Sequence, residues 1–142
     1  MPAKMTKAEI HAFLDSKPGW IALTTIGRDG FPHTVPIGYF RVGDDVVIGC
    51  RAGTQKLLNI ERNPKVSVML ESGSTMQDIK GVCIQGTATV ITDRAGVLDM
   101  QREAARKRGV PEEQLPTEVR EGAAYIRVTP TRYISWDYGR PA

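Results

Sequence analysis

The longest extended stretch in the sequence, Lys80 to Thr92, carries a glycine, Gly86, in its middle. A glycine inside a strand marks a bulge or a sharp bend, the device by which a sheet turns a corner and closes on itself. A barrel is therefore a more economical home for this stretch than a flat sheet. The neighbouring segments agree. Trp20 to Ile26 reads as a short strand, Gly27-Arg28-Asp29-Gly30 as a turn, and about Pro32 to Arg41 as the return strand, with Val35, Ile37 and Tyr39 on one parity. Gly43-Asp44-Asp45 turns the chain into a third strand, Val46 to Cys50, which makes an antiparallel meander.

Helices punctuate these strands without alternating with them. Thr6 and Glu9 form a capping-box pattern ahead of Ile10, Phe13 and Leu14, and Pro18-Gly19 ends that helix. Thr54 opens a second helix with Leu57, Leu58 and Ile60, and Asn63-Pro64 stops it because a residue before proline avoids helical angles. Lys65 to Glu71 alternates Val66, Val68 and Leu70 with polar partners, as a half-buried strand does, and Ser72 to Gln77 is a polar loop. Asp93 caps a helix expected to run to Arg108 and to end at Gly109. Pro111 to Gly122 follows as an acidic connector, and Ala124 to Val128 and Arg132 to Trp136 are two last strands parted by Thr129-Pro130. About seven strands, grouped together, with three or four helices argue for an α+β fold around an antiparallel barrel and against a parallel Rossmann sheet.

With 142 residues the chain suits one domain, 1–142. Hydrophobic residues at 41% and charged residues at 25% exclude disorder as the main state. The net charge of +3 and pI near 9.0 favour an anionic partner of some kind. The basic side chains are spread over both halves of the chain. The densest run, Arg102, Arg106, Lys107 and Arg108 with Glu103, reads as a solvated helix face, and no nucleic-acid role is expected. Cys50 and Cys83 show no metal-ligand spacing and the only histidines are His11 and His33, so no metal site is expected and a reducing compartment fits. No apolar run approaches a membrane span and no signal-peptide core follows the start, which leads to the expectation of a cytoplasmic protein without a membrane partner.

Standard catalytic sets are missing. Neither glycine-rich segment has dinucleotide or P-loop spacing, and nothing resembles a nucleophile elbow. His33 reads as a surface or packing residue, and no catalytic residue is assigned. One segment stands out, Arg51-Ala52-Gly53-Thr54-Gln55-Lys56, where a strand passes through a glycine into a helix start. Backbone N–H groups at a helix N-terminus, joined by an arginine, a hydroxyl and a lysine, can bind phosphate. The same residues would equally make a capped helix with solvated cations.

The string Thr54-Gln55-Lys56-Leu57-Leu58-Asn59-Ile60-Glu61-Arg62-Asn63-Pro64-Lys65-Val66-Ser67 resembles the "SQKxxNLxRDPRVS" block of the pyridoxamine 5'-phosphate oxidase-like superfamily of flavin- or deazaflavin-binding split barrels. Gly30 to Pro36 is similar to its "G-x-P-H-x-x-P/A" strand, Gly81 to Ala88 to its "GVSFEGxA" strand, and Arg132 to Asp137 to its closing "R-x-x-S-W-D". Together these cover about residues 6 to 140. The resemblance implies an antiparallel six-stranded split β-barrel of Greek-key type with flanking short helices. It also implies a homodimer with two cofactor sites at the subunit interface. By it Arg51, Thr54, Gln55 and Lys56 would hold the cofactor phosphate. Thr34, Val35 and Pro36 with Ile48 to Cys50 would line the ring, and Trp136 would cover it from the partner subunit.

The chain departs from the oxidase branch: no histidine follows His33, and the end reads Trp136-Asp137-Tyr138-Gly139-Arg140. The short form looks closest to the actinobacterial group that uses coenzyme F420. F420 is therefore the first expectation for the cofactor and FMN the second, in a reductase passing hydride to a small, conjugated organic acceptor. The alternative is a non-catalytic FMN- or haem-binding split barrel acting in storage, sensing or stress response. Hydride transfer needs proximity more than a strong acid or base, which accounts for the missing catalytic set. If a proton donor is required, Tyr39, Tyr133 and Asp137 are the candidates, with bound water as the alternative.

Overall fold

A computed structural model describes residues 2–141 and begins with a short strand that the sequence did not suggest, β1 (Pro2–Ala3). The capping box closes at Thr6, where the hydroxyl accepts the Glu9 N–H at 3.2 Å and the Glu9 carboxylate accepts the Thr6 N–H at 3.0 Å, and starts α1 (Lys7–Ser16). β2 (Ile21–Ile26) and β3 (Pro32–Ile37) form the first hairpin. The expected long return strand is broken at Gly38-Tyr39, so that β4 (Phe40–Val42) is a separate piece pairing with β5 (Asp45–Arg51). α2 (Gln55–Arg62), β6 (Lys65–Ser72), β7 (Lys80–Ile91) and α3 (Arg94–Lys107) follow where the sequence placed them. Asp93 caps α3 by accepting the Gly96 N–H at 2.9 Å.

The two last strands expected from the sequence are one, β8 (Ala123–Pro141). Thr129-Pro130 reads as a strand stop, but the interruption is a bulge: Gly86 faces Pro130 while Gln85 faces Arg132, leaving Thr131 unmatched. A proline, lacking its N–H, is tolerated where the ladder is already irregular. The extra residue also reverses the faces of the strand. Ala124, Ile126 and Val128 are buried before the bulge, whereas Tyr133 packs against the core after it and Trp136 turns to the outside. Opposite the bulge, a side chain on Gly86 would run into the Thr129 carbonyl oxygen, so the glycine marks the bend as expected.

The strands run in the order β3-β2-β6-β7-β8-β5-β4, all antiparallel, with β1 on β8. Ile21 and Leu23 of β2 share one core with Val46 and Ile48 of β5, far along that order, and only a curled sheet brings them together. The fold is α+β around a split antiparallel barrel, with eight strands where the resemblance implies six. The extra ones are the short β1 and the fragments made by the break after Ile37. Leu57 and Ile60 of α2 and Ile10, Phe13 and Leu14 of α1 complete the interior. α3 lies outside over β8 and β4, where Val97 and Met100 cover Val47, Phe40 and Tyr125.

Candidate cofactor site

β5 delivers Cys50 and Arg51 to the start of α2 through Gly53, whose φ of 79° lies in the left-handed region that suits glycine. Thr54 occupies the N-cap position without capping: its hydroxyl donates to the Arg51 carbonyl at 3.1 Å instead. The backbone N–H groups of Gln55 and Lys56 thus find no acceptor among the described residues, and no acidic side chain occupies the first turn. Arg51 and Lys56 form no ion pair among those residues either. Arg51 extends over Gly122, whose carbonyl holds the Ala52 N–H at 2.9 Å. Burial pushes the Cys50 thiol up from its ordinary range while the Lys56 charge pulls it back. The donor set is cationic, unpaired and directional, and it fits a phosphate group.

The rest of the Thr54–Ser67 block has a different task. Asn59, 1% exposed, accepts from Gln55 Nε2 at 2.8 Å and from Arg62 Nη2 at 3.0 Å, and donates to the buried Thr25 hydroxyl at 3.0 Å. Arg62 also donates to the Ile26 carbonyl at 3.3 Å. This network clamps α2 onto β2 and holds the helix start still. The Gln55 side chain thus belongs to the clamp, which the sequence could not show because the clamp and the helix start fall on one helix.

β3 is an edge strand with β2 as its neighbour. Val35 packs toward the core, whereas Thr34 and Pro36 face out, the Thr34 hydroxyl meeting that of Thr24 at 2.9 Å. The free edge offers backbone groups to a ring, though Pro36 has no N–H to give. Ile48 is fully buried, backbone included, and offers no surface to a ligand in the single chain. A hollow of about 500 Å³ between the β2–β3 turn and α2 is lined by Pro32, His33, Gln55 and Asn59, and it joins the foot of β3 to the helix start.

Trp136 lies elsewhere, on the outer face of β8 against its cross-strand partner Gly81, where a Cβ would come within 2.5 Å of the indole Cζ2. Four interstrand steps separate β8 from β3, roughly 19 Å along the sheet. Trp136 and the Thr34–Pro36 edge therefore belong to different regions of one chain. Between them Pro36, Ala22, Met69, Cys83 and Ile134 form one apolar row in continuous register, with Met69 38% and Ile134 37% exposed.

Two of the three candidate proton donors, Tyr39 and Asp137, are engaged within the chain, whereas the Tyr133 hydroxyl has no partner among the described residues. The Tyr39 hydroxyl donates to the Leu14 carbonyl at 2.6 Å, and burial pushes its pKa up to about 12. Tyr133, raised chiefly by burial, packs against the core. Asp137 accepts from Arg140 at 3.0 Å and from the Gly139 N–H at 3.0 Å. Among the described residues there is no group of three or more potential metal ligands, and no helix is long and apolar enough to cross a membrane.

The sequence model of the family described as pyridoxamine 5'-phosphate oxidase matches residues 6–137. No curated protein sequence matches the chain. Among solved structures, a conserved hypothetical protein of Mycobacterium tuberculosis, Rv2991, is 26% identical with a TM-score of 0.80, over 97% of this chain and 90% of that one. An F420 reductase, 19% identical, superposes with a TM-score of 0.63 over 86% of this chain and 94% of its own. The heme storage protein HutZ of Vibrio cholerae, 13% identical, does so with a TM-score of 0.64 over 91% and 95%. The last two likenesses are of fold.

Proposed function

Since the chain belongs to the pyridoxamine 5'-phosphate oxidase family, we propose that it is a reductase that binds coenzyme F420, or FMN in second place, and reduces a small conjugated organic acceptor. The observation that carries this reading is the start of α2: two unclaimed backbone N–H groups with Arg51 and Lys56 unpaired beside them. An ordinary capped helix would use Thr54 on its own N–H groups, and this one does not.

Arg51, Thr54, Gln55 and Lys56 would hold the phosphate, with the β3 edge from Thr34 to Pro36 and the Gly49–Cys50 end of β5 along the ring. When bound, the ring supplies the redox chemistry, giving a hydride to the acceptor. The chain's own part is to fix the phosphate, keep α2 rigid through Asn59 and leave the β3 edge open. The acceptor's proton comes from water or from the Tyr133 hydroxyl, because Tyr39 gives its own to the Leu14 carbonyl and Asp137 is engaged by Arg140.

The apolar row from Pro36 to Ile134 is the face for a second copy of the chain. A homodimer built on it would bring Trp136 of one copy toward the β3 edge of the other, a juxtaposition that a single chain denies by distance.

Titration of the purified protein with F420 and with FMN tests the reading. Micromolar or tighter binding of one of them is expected, and Lys56→Ala should weaken it about 10- to 150-fold, the worth of one charge-assisted contact of about 1.5–3 kcal/mol. Failure to bind either cofactor, or unchanged affinity in the variant, refutes it. Binding without turnover of the reduced cofactor on quinones and enones would move the chain to storage or sensing.

A further inference from the structure

A recess at the C-terminal end of α1 shares no lining residue with the cofactor site. The helix closes on Lys17 with φ 47° and ψ 61°, and among the described residues every other positive φ belongs to a glycine. Lysine is a poor choice for that conformation, so what its side chain does there is the question to ask. Its Nζ donates to the Tyr39 carbonyl at 2.5 Å and sits 5.2 Å from the centroid of the Tyr39 ring. An ammonium has three N–H bonds, so two remain.

Beside it stands Trp20, 73% exposed, with its ring edge 3.6 Å from where a Cβ on Gly38 would lie. Lys17, Gly19, Trp20, Gly38 and Tyr39 enclose about 310 Å³. Burial and the charges of Arg108 and Lys107 together press the Lys17 ammonium below its ordinary pKa, with Asp15 opposing them. Asp15 is already engaged by Arg41 at 2.7 and 3.0 Å. The recess thus pairs a bare indole with a surplus of positive charge.

We propose that this recess binds a planar conjugated anion of the aromatic carboxylate class, its ring against Trp20 and its carboxylate on Lys17. The volume is at the small end for ligand sites and suits a one- or two-ring molecule. Gly38 directly follows β3, so the recess opens at the end of the strand whose Thr34–Pro36 edge faces the cofactor ring. That it is the seat of the hydride acceptor rests on the cofactor reading, whereas the binding itself does not.

The test uses cofactor-free protein carrying Trp136→Phe, which leaves Trp20 as the single indole of the two in the chain. Titration with 4-nitrobenzoate should quench Trp20 saturably, and the uncharged 4-nitrobenzamide should bind about tenfold more weakly. Lys17→Asn keeps a residue that tolerates the left-handed conformation and should lower nitrobenzoate affinity about tenfold without changing that of the amide. Lys17→Arg should restore it to within about threefold. Absence of saturable quenching, equal affinity for the two probes, or an unaltered Lys17→Asn variant overturns the proposal. So does a Trp20 emission already blue-shifted in the free protein, which would show the indole covered by a second copy. Quenching by nitrobenzoate in a protein that binds neither F420 nor FMN would uphold the recess and sink the cofactor reading alone.

Discussion

Asn59→Ala tests whether the helix-borne block is a clamp or a ligand contact. The side chain is 1% exposed and makes three hydrogen bonds, two accepted from Gln55 and Arg62 and one donated to Thr25, itself fully buried. At about 0.5–1.5 kcal/mol net per bond, with the Thr25 hydroxyl left buried and unsatisfied, the loss comes to about 3 kcal/mol. An unfolding entropy of about 2.1 cal/mol/K per residue over 142 residues converts this into a fall in Tm of roughly 10 °C. Urea unfolding followed by circular dichroism measures the loss directly. Thr25→Val should cost about 1–2 kcal/mol, and the double variant less than the two single costs combined, because both remove the same bond. A loss under about 1 kcal/mol, or strict additivity, would refute the clamp. Cofactor affinity adds a second constraint. Saturating ligand at low temperature should still bind the folded Asn59→Ala protein within a few-fold of the parent, whereas a residue that touched the ligand would not permit this.

Gly86→Ala should destabilise by about 1–3 kcal/mol in the same urea experiment, because the methyl group meets the Thr129 carbonyl, while Gly19→Ala, with nothing within 4 Å, should stay within about 0.5 kcal/mol. Tyr39 is 5% exposed and its folded pKa, about 12, lies above the ordinary 10, so its contribution is intact below pH 10 and is lost as pH rises through 12. Tyr39→Phe should cost about 1 kcal/mol at pH 7 and make the fall in Tm between pH 10 and 12 shallower. A fall as steep as the parent's would count against the assignment. Met69→Glu combined with Ile134→Glu should convert a dimer into a monomer in sedimentation, and a parent protein that already sediments as a monomer would remove the apolar row as an interface.

Much of this fold was legible because its signals are local. The Thr6–Glu9 box, the Asp93 cap, the stop at Asn63-Pro64 and the bend at Gly86 each depend on a few adjacent residues, and each is found where expected. What escaped depends on partners distant in sequence. The two-residue β1 exists only through pairing with β8, and Thr129-Pro130 carries the same local signal whether the strand ends or bulges. For the site, the cations at Arg51 and Lys56 could be read from charge and glycine spacing. The clamp role of Asn59 needs Thr25, and the isolation of Trp136 from β3 needs the strand order. Lys17 gave no signal at all, since a left-handed lysine looks in sequence like any other helix end.

β8 also governs when this molecule can assemble. It pairs with β5, with β7 and with β1, and so supplies the neighbour that three earlier strands lack. During synthesis from the N-terminus, the β2–β3 hairpin and the β6–β7 pair can form early, but β5 waits with one edge bare until residues beyond 122 have left the ribosome. Topologies that depend on such distant pairings fold slowly. The interval before β8 arrives is when nascent chains would be most exposed to pairing with one another, and released fragments ending near residue 122 should be markedly more protease-sensitive than the 142-residue chain.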